Sequence, residues 1–148
     1  MTARSPDNPL PADGFYEWQP VPGQKNKQPY LIGVRDVPAF AFAGLWEHWT
    51  DPDGQRVDSC AIITTEANKL MQLIHNRMPV ILDPGDYGRW LDCAKHDPAA
   101  VADLLTPFPA KKMQLTPVST LVNSPRNESP KCVEAAGSAN QAEAPRPS

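Results

Sequence analysis

The chain lacks any apolar run long enough to cross a membrane, and its first thirty residues contain prolines and charges instead of the apolar core of a signal peptide. It has little net charge, −3 in total, so no overall basic field indicates a nucleic-acid partner and any DNA binding must use a local groove. Its three cysteines lack metal-like or paired spacing, which argues against a zinc site or a disulfide framework. These absences predict a soluble protein of a reducing cytoplasm, with no metal and no cofactor.

Proline, by contrast, is abundant: 18 of the 148 residues are proline, and much of it lies near the two ends. A chain of this length supports one domain with a core and is too short for two. Because proline opposes regular structure, we predict an irregular leader over residues 1–13 and a folded domain over 14–133. Residues 134–148, rich in Ala, Pro, Ser and Gly, are predicted to form a disordered tail.

The pattern of apolar residues predicts an α+β domain. Alternation and apolar runs indicate strands at 15–19, 29–34, 40–49 with a bend at Gly44, 58–64 and 79–82, and an extended segment at 113–122. Short helices are expected at 67–74, after 83–86 and at 98–105. We therefore expect one mixed, curled β-sheet with three short helices packed on it.

The helix predicted at 67–74 matters for function because it positions a histidine. Ala67, Leu70, Met71 and Ile74 fall at helical spacing, and Thr64 or Thr65 is a suitable N-terminal cap. His75 would then lie at the C-terminal end of this helix.

The first candidate for chemistry is Glu17, within the block Gly14-Phe15-Tyr16-Glu17-Trp18. A carboxylate set among aromatic rings is partly desolvated, which suits general acid–base work. The alternative is a glutamate on an edge strand that faces water.

The second candidate block is Ile74-His75-Asn76-Arg77-Met78-Pro79. Here an imidazole that can transfer protons stands beside a guanidinium whose planar donors suit phosphate oxygens. The alternative is a histidine that interacts with the last carbonyls of a helix, next to a solvated arginine.

The remaining aromatic and sulfur side chains have simpler interpretations. The four tryptophans could stack on bases, but large rings usually fill the core of a small sheet domain; they are Trp18, Trp46, Trp49 and Trp90. Cys60 lies within an apolar strand and is predicted to be a small buried hydrophobe, and Cys93 is interpreted in the same way.

Taken in order, five blocks resemble the SRAP family, the SOS response-associated peptidases, also called abasic-site processing proteins. They begin with Pro11-Ala12-Asp13-Gly14-Phe15-Tyr16-Glu17-Trp18, Ala43-Gly44-Leu45-Trp46-Glu47 and Ala61-Ile62-Ile63-Thr64-Thr65-Glu66-Ala67-Asn68, and continue with Ile74-His75-Asn76-Arg77-Met78-Pro79-Val80-Ile81-Leu82 and Val118-Ser119-Thr120-Leu121-Val122-Asn123. The resemblance covers roughly residues 11–133, and the ordered series is highly specific.

The resemblance implies a curled, barrel-like mixed sheet with flanking helices, and a positively charged groove that holds single-stranded DNA. The implied activity is covalent capture of abasic sites, together with a peptidase activity that removes the protein's own first methionine. Residue by residue, it implies that Glu17 and His75 are catalytic, that Arg77 contacts a phosphate, and that Thr64 and Trp18 line the DNA-binding pocket. We expect a monomer in the bacterial cytoplasm or nucleoid.

At the N-terminus this sequence departs from the family, which begins Met-Cys-Gly-Arg. In the family the α-amine of that cysteine attacks the sugar aldehyde to give a Schiff base, and its thiol then closes a thiazolidine ring. This chain begins Met1-Thr2-Ala3-Arg4, and no cysteine precedes Cys60. The sequence therefore predicts a domain that is incomplete at its N-terminus, lacking the N-terminal strands and the nucleophile.

Three interpretations follow from this departure. The chain is an N-terminally shortened SRAP protein impaired in covalent capture, a non-covalent single-stranded DNA-binding module, or an inactive and partly unfolded fragment. Processing of Met1 would expose Thr2, whose amine could still form a Schiff base. Its hydroxyl closes a much less stable ring than a thiol does, so that adduct would be reversible.

Overall fold

The computed structural model describes residues 9–92 and 98–137. The described strands are Leu10–Ala12 (β1), Phe15–Gln19 (β2), Gln28–Val34 (β3), Phe40–Phe42 (β4), Gly44–Thr50 (β5), Arg56–Ile62 (β6), Thr64–Glu66 (β7), Arg77–Pro79 (β8), Ile81–Leu82 (β9) and Met113–Pro117 (β10). The one described α-helix is Tyr87–Asp92 (α1), and 3-10 turns cover Met71–Leu73, Pro84–Asp86, Pro98–Leu104, Ala110–Lys112, Thr120–Asn123 and Pro130–Cys132. None of these helices is long and apolar enough to cross a membrane.

The strands form four small antiparallel sheets. Two have three strands, in the orders β1-β4-β9 and β10-β3-β2, and two are the pairs β5-β6 and β7-β8. The predicted α+β class with a few short helices is confirmed. The structure differs from the predicted single, curled mixed sheet in three respects. The strands form four sheets, every strand pair named here is antiparallel, and the described residues do not close a barrel.

Several strand boundaries differ from the sequence prediction, and those of β1 and β4 show the physical reasons. The leader predicted to be irregular contains β1, in which Pro11 pairs opposite Ala41; proline is compatible with β1 because this strand lies at the edge of its sheet. The strand predicted at 40–49 is split at Ala43, whose N–H donates to the carbonyl of Val80 and whose carbonyl accepts from the N–H of Ile63. Ala43 thus links two sheets, and β4 and β5 belong to different ones.

The helix predicted at 67–74 is wrong. Only the 3-10 turn Met71–Leu73 forms, and the threonines expected to cap a helix lie in β7, which pairs with β8. The side chain of Asn68 caps this turn instead, because its Oδ1 accepts from the N–H groups of Leu70 and Met71, each at 3.0 Å. A β-branched pair of threonines favours a strand, and the asparagine favours a turn.

The second half of the chain follows the prediction more closely. Asp83 caps the turn that leads into α1, and a 3-10 helix covers Pro98–Leu104 where a helix was expected. The segment predicted to be extended at 113–122 stops at Pro117 and turns at Ser119, whose side chain caps Thr120–Asn123. Thr2, Cys93 and residues 138–148 lie outside the described residues.

The start of the predicted tail is folded in this structure. Ala135 forms a β-bridge with Val118, and the N–H of Ala136 donates to the carbonyl of Pro117 at 2.7 Å. Ordered backbone therefore extends at least two residues beyond Glu134, where the tail was predicted to begin.

The core consists of two clusters of buried apolar side chains. The larger lies among the three-stranded sheets and the segment around Met71, and the smaller surrounds Trp90. Of the four tryptophans, Trp90 alone is buried, and Trp49 is 56% exposed, so the prediction that they are mostly core is wrong. Cys60 is also exposed, contrary to prediction, because both faces of β6 are open among the described residues.

Candidate functional site

The first part of the site is an arginine held by the antiparallel pair β7-β8. In this pair Glu66 lies opposite Arg77 and Thr64 opposite Pro79. Nη2 of Arg77 donates to the carbonyl oxygen of Thr64 at 2.7 Å and to its hydroxyl oxygen at 2.8 Å. Two predicted site residues are therefore in direct contact, and Thr64 fixes the position of the guanidinium.

Arg77 keeps donors available for a ligand. An arginine side chain has five N–H donors, of which Nη2 carries two. The three donors on Nε and Nη1 have no partner in the part of the chain that the structure describes, and the side chain is exposed. A guanidinium anchored at one nitrogen keeps its charge and the open donors of the other two, so it can bind a phosphate.

The backbone of Arg77 also holds the ring of His75. Nδ1 of His75 lies 3.1 Å from the backbone nitrogen of Arg77 and 3.1 Å from its carbonyl oxygen. A neutral ring accepts the N–H of Arg77 at Nδ1, and a protonated ring donates from Nδ1 to the carbonyl. Nδ1 has a backbone partner in either state, so Nε2 is left to exchange protons with a ligand.

Glu17 lies on β2, directly opposite Tyr30 of β3, and its Oε1 accepts the backbone N–H of Trp18 at 3.1 Å. The side chain is half-buried. Because side chains alternate along a strand, Glu17 shares its face of β2 with Phe15, whose ring packs against Phe42. The carboxylate therefore stands at the border of the core.

Gln19, on the same face of β2, connects the strand of Glu17 to the segment that carries His75. Its Nε2 donates to the carbonyl of Leu73 at 2.6 Å, and its Oε1 accepts the hydroxyl of Tyr30 at 3.2 Å. Leu73 lies two residues before His75, and Glu17 lies two residues before Gln19. This bridge places the two acid–base candidates on neighbouring segments on one side of β2.

Trp18 lies on the opposite face of β2. Its Nε1 donates to Oδ1 of Asn123 at 2.7 Å, and its ring lies beside that of Tyr16, with 6.2 Å between the centroids. The hydroxyl of Tyr16 donates to the carbonyl of Cys132, and burial raises the pKa of Tyr16, with smaller contributions from Cys132 and Asp13. The C-terminal turns therefore contact this face of β2, which is opposite the face that carries Glu17.

The structure thus brings Thr64, Arg77 and His75 into contact, links them to the Glu17 face, and separates Trp18 from them. Sequence reasoning did not single out Gln19 or Asn123, although Asn123 ends one of the blocks that carried the family resemblance and Gln19 directly follows another. Gln19 could have been found because it lies two residues after Glu17 on a predicted strand, which places both side chains on one face.

Comparison with known proteins agrees with this architecture. Residues 8–125 match the model of the family described as SOS response associated peptidase (SRAP). The chain therefore belongs to the SRAP family.

Named relatives and solved structures show the same likeness. The chain is 46% identical over 125 residues to the abasic site processing protein YoqW of Bacillus subtilis, covering 84% of this chain and 55% of that protein. It is 35% identical over 143 residues to the abasic site processing protein HMCES of Xenopus tropicalis, covering 84% and 42% respectively. A crystal structure of a protein from Bacteroides thetaiotaomicron superposes with a TM-score of 0.76 at 33% identity, covering 86% of this chain and 56% of that one. The chain spans about half the length, or less, of these relatives.

Proposed function

We propose that this chain recognises abasic sites in single-stranded DNA, with Arg77 binding a phosphate and with Glu17 and His75 transferring protons. The observation that carries the proposal is the contact of Arg77 with both Thr64 and His75. One residue thereby fixes an anion-binding group and a proton-transfer group side by side. The relatives named abasic site processing proteins support the choice of ligand.

An abasic sugar supplies the chemistry that such a pair can use. Its ring must open to give an aldehyde, and a donor at the ring oxygen assists that step. An amine then adds to the aldehyde carbon and water leaves, which requires a proton to be delivered to the departing hydroxyl. Nε2 of His75 suits these transfers, and the half-buried carboxyl of Glu17 on the neighbouring strand is the second acid–base group.

Thr64 and Trp18 have supporting roles in this proposal. The hydroxyl of Thr64 accepts from Arg77, so it orients the phosphate-binding group and can still donate its own proton to DNA. The indole N–H of Trp18 is occupied by Asn123, which leaves the ring faces for stacking on a base on the side of β2 opposite Glu17.

Stable covalent capture needs an amine and a thiol on one residue, which the SRAP resemblance assigns to an N-terminal cysteine. The amine forms the Schiff base, and the thiol then adds to the imine carbon and closes a thiazolidine. This sequence has no cysteine before Cys60, so we expect this polypeptide to bind the site without forming a heat-stable crosslink. Any peptidase activity would be confined to removal of the first methionine.

The test is a denaturing gel of the protein after incubation with a single-stranded oligonucleotide that contains one abasic site. We expect no heat-stable shifted band for the chain alone, and a band after a Met-Cys segment is added upstream. Glu17→Gln and His75→Ala in the extended chain should then slow the reaction. A band that is equally strong in the extended chain and in both variants would reject the assigned roles.

A second candidate function is non-covalent binding of single-stranded DNA without reaction. The three open donors of Arg77 favour it, since they suit a phosphate whether or not a base is missing. Fluorescence anisotropy with matched intact and abasic oligonucleotides separates the two functions. Equal affinity for both oligonucleotides would favour the non-covalent function, and a preference for the abasic strand supports recognition of the lesion.

A further inference from the structure

A cleft of about 390 Å³ lies between the loop that joins β3 to β4 and the residues just before β10. The floor of this β3–β4 cleft consists of buried core residues, each no more than 9% exposed: Val34, Phe40, Leu82 and Phe108. Its volume falls within the range of about 300 to 1,000 Å³ that is typical of pockets for small molecules. An apolar group that enters the cleft therefore leaves water for a floor of aliphatic and aromatic side chains.

One wall of the cleft is held against β10 by hydrogen bonds. The N–H of Arg35 donates to the carbonyl of Lys112 at 2.7 Å, and Nε of Arg35 donates to the carbonyl of Met113 at 2.8 Å. The next residue, Asp36, has a φ of 61°, in the left-handed region that aspartate adopts more readily than most residues. These contacts fix the wall before a ligand arrives, which reduces the entropy that binding costs.

The rim of the cleft carries more positive than negative charge. Arg35, Lys111 and Lys112 line it, together with the two carboxylates Asp36 and Asp83. Nζ of Lys112 lies 3.3 Å from Oδ2 of Asp83, so these two charges pair with each other. Three cations against two carboxylates leave one positive charge in excess, which suits a ligand that carries a single negative charge.

Arg35 and Lys111 keep donors available for an anion. Nε of Arg35 is bonded to Met113, but Nη1 and Nη2 have no hydrogen-bond partner within residues 9–92 and 98–137. Nζ of Lys111 has no partner in the same part of the chain. The two Nη groups of a guanidinium lie side by side and match the two oxygens of a carboxylate.

We propose that the β3–β4 cleft binds a small apolar monocarboxylic acid. The apolar body of this acid packs on Phe40, Leu82 and Phe108 at the floor of the cleft. Its carboxylate, which is ionised at neutral pH, accepts hydrogen bonds from Nη1 and Nη2 of Arg35 and is attracted by the charge of Lys111.

A nucleic-acid strand fits this cleft poorly. Asp36 and Asp83 at the rim repel a chain of phosphates, and the floor is apolar. The cleft is also remote from the DNA site proposed above, because Val34 lies four residues along β3 from Tyr30, the cross-strand partner of Glu17. At about 3.3 Å per residue this separation is about 13 Å.

The test titrates the full chain with octanoate, which has the apolar tail and the carboxylate of this class of ligand. We expect one-to-one binding by isothermal titration calorimetry, with chemical-shift changes at the amides of Val34, Val37 and Lys111. Octan-1-ol keeps the tail and lacks the charge, so it should bind about tenfold more weakly. Acetate keeps the charge and lacks the long tail, so it should bind about a hundredfold more weakly, or weaker still.

Two pairs of variants locate the binding site. Lys111→Gln removes one cation from the rim and should weaken octanoate binding about fivefold. Lys25→Gln makes the same charge change in the exposed loop between β2 and β3 and should leave binding unchanged. Ala39→Phe fills the cleft and should abolish binding, whereas Ala39→Ser keeps the space and should preserve it. If circular dichroism shows that Ala39→Phe does not fold, the two lysine variants and the ligand series still decide.

Four outcomes would overturn the proposal. The first is octanoate that shifts no amide around the cleft. The second is octan-1-ol that binds as tightly as octanoate, because the carboxylate would then not be recognised. The third is octanoate binding that Lys111→Gln leaves unchanged, because the anion would then lie elsewhere. The fourth is displacement of octanoate by an intact single-stranded oligonucleotide that shifts the same amides, because the cleft would then belong to the nucleic-acid surface.

Discussion

Nη2 of Arg77 lies 2.7 Å from the carbonyl oxygen and 2.8 Å from the hydroxyl oxygen of Thr64, so one guanidinium nitrogen joins β8 to β7 twice. The carbonyl contact is available to any residue at position 64. The hydroxyl contact depends on the side chain, so substitution at this position can separate the two.

Thr64→Val should weaken binding to a single-stranded abasic oligonucleotide about fivefold, because the exposed guanidinium loses one of its two anchors. Thr64→Ser keeps the hydroxyl and should bind as the wild type does. Fluorescence anisotropy at one fixed salt concentration measures both. A loss of affinity in Thr64→Ser but not in Thr64→Val would show that the methyl group, and not the hydroxyl, matters.

Arg77→Ala should reduce the salt dependence of DNA binding as well as the affinity. Removal of one phosphate contact to a single strand lowers the magnitude of the slope of log affinity against log salt by about 0.7. Arg77→Lys keeps the charge and should preserve most of the slope while it loses the planar guanidinium donors. An unchanged slope in Arg77→Ala would mean that the guanidinium does not contact a phosphate.

The turn before His75 supports a prediction about stability. Asn68→Ala should lower the free energy of unfolding by about 1 to 2 kcal/mol, since Oδ1 caps two N–H groups and Nδ2 donates to the carbonyl of Phe108 at 2.6 Å. Asn68→Asp keeps the cap and loses the donor, so it should fall between the wild type and Asn68→Ala. Urea unfolding followed by tryptophan fluorescence gives the three values.

The pH dependence of stability should include a contribution from Asp103. Hydrogen bonds from Arg89, at 2.8 and 3.1 Å, hold the pKa of this carboxyl below its ordinary value of 3.8, together with the nearby guanidinium charge. A lowered pKa in the folded state means that the contribution is complete above pH 3.8 and is lost as the pH falls through the folded value.

Asp103→Asn should therefore lower the urea midpoint at neutral pH, and this difference from the wild type should shrink well below pH 3.8. Nuclear magnetic resonance titration of the Asp103 carboxyl gives an independent value. A constant difference between the two proteins at every pH would contradict the assignment of the effect to ionisation.

Much of the fold could be predicted from local pattern. The bounds of β2 follow from the alternation in Phe15–Gln19, and the turn between β5 and β6 follows from Asp51-Pro52-Asp53-Gly54. The spacing at 67–74 correctly indicated buried residues, because Ala67, Met71 and Ile74 are all in the interior. The helix that this spacing predicted does not form, since a capped 3-10 turn between two strands buries the same positions.

The site was only partly predictable, because its contacts join distant residues. The resemblance singled out Thr64 and Arg77, but their contact depends on the pairing of β7 with β8, which was hidden by the predicted helix. Exposure of Cys60 could not be predicted either. An apolar strand is normally covered, and nothing in residues 56–62 indicates an edge left open in the described structure.

Gln19 should act as a positioning residue for the proposed reaction. Its bonds to Leu73 and Tyr30 set the separation between the strand of Glu17 and the segment of His75. In the chain extended with an upstream Met-Cys segment, Gln19→Ala should slow crosslinking about tenfold, because reacting groups misplaced by a fraction of an ångström lose much of their orientation.

Tyr30→Phe is the matched control for this prediction. It removes the hydroxyl that donates to Gln19 but leaves the 2.6 Å bond from Gln19 to Leu73, so its crosslinking should stay close to that of the parent. The affinity for the single-stranded abasic oligonucleotide before crosslinking should be unchanged in both variants, because neither Gln19 nor Tyr30 contacts Arg77. A loss of affinity that parallels the loss of crosslinking rate would instead assign Gln19 a role in folding or in DNA binding. In that case the pH profile of the crosslinking rate would keep its shape.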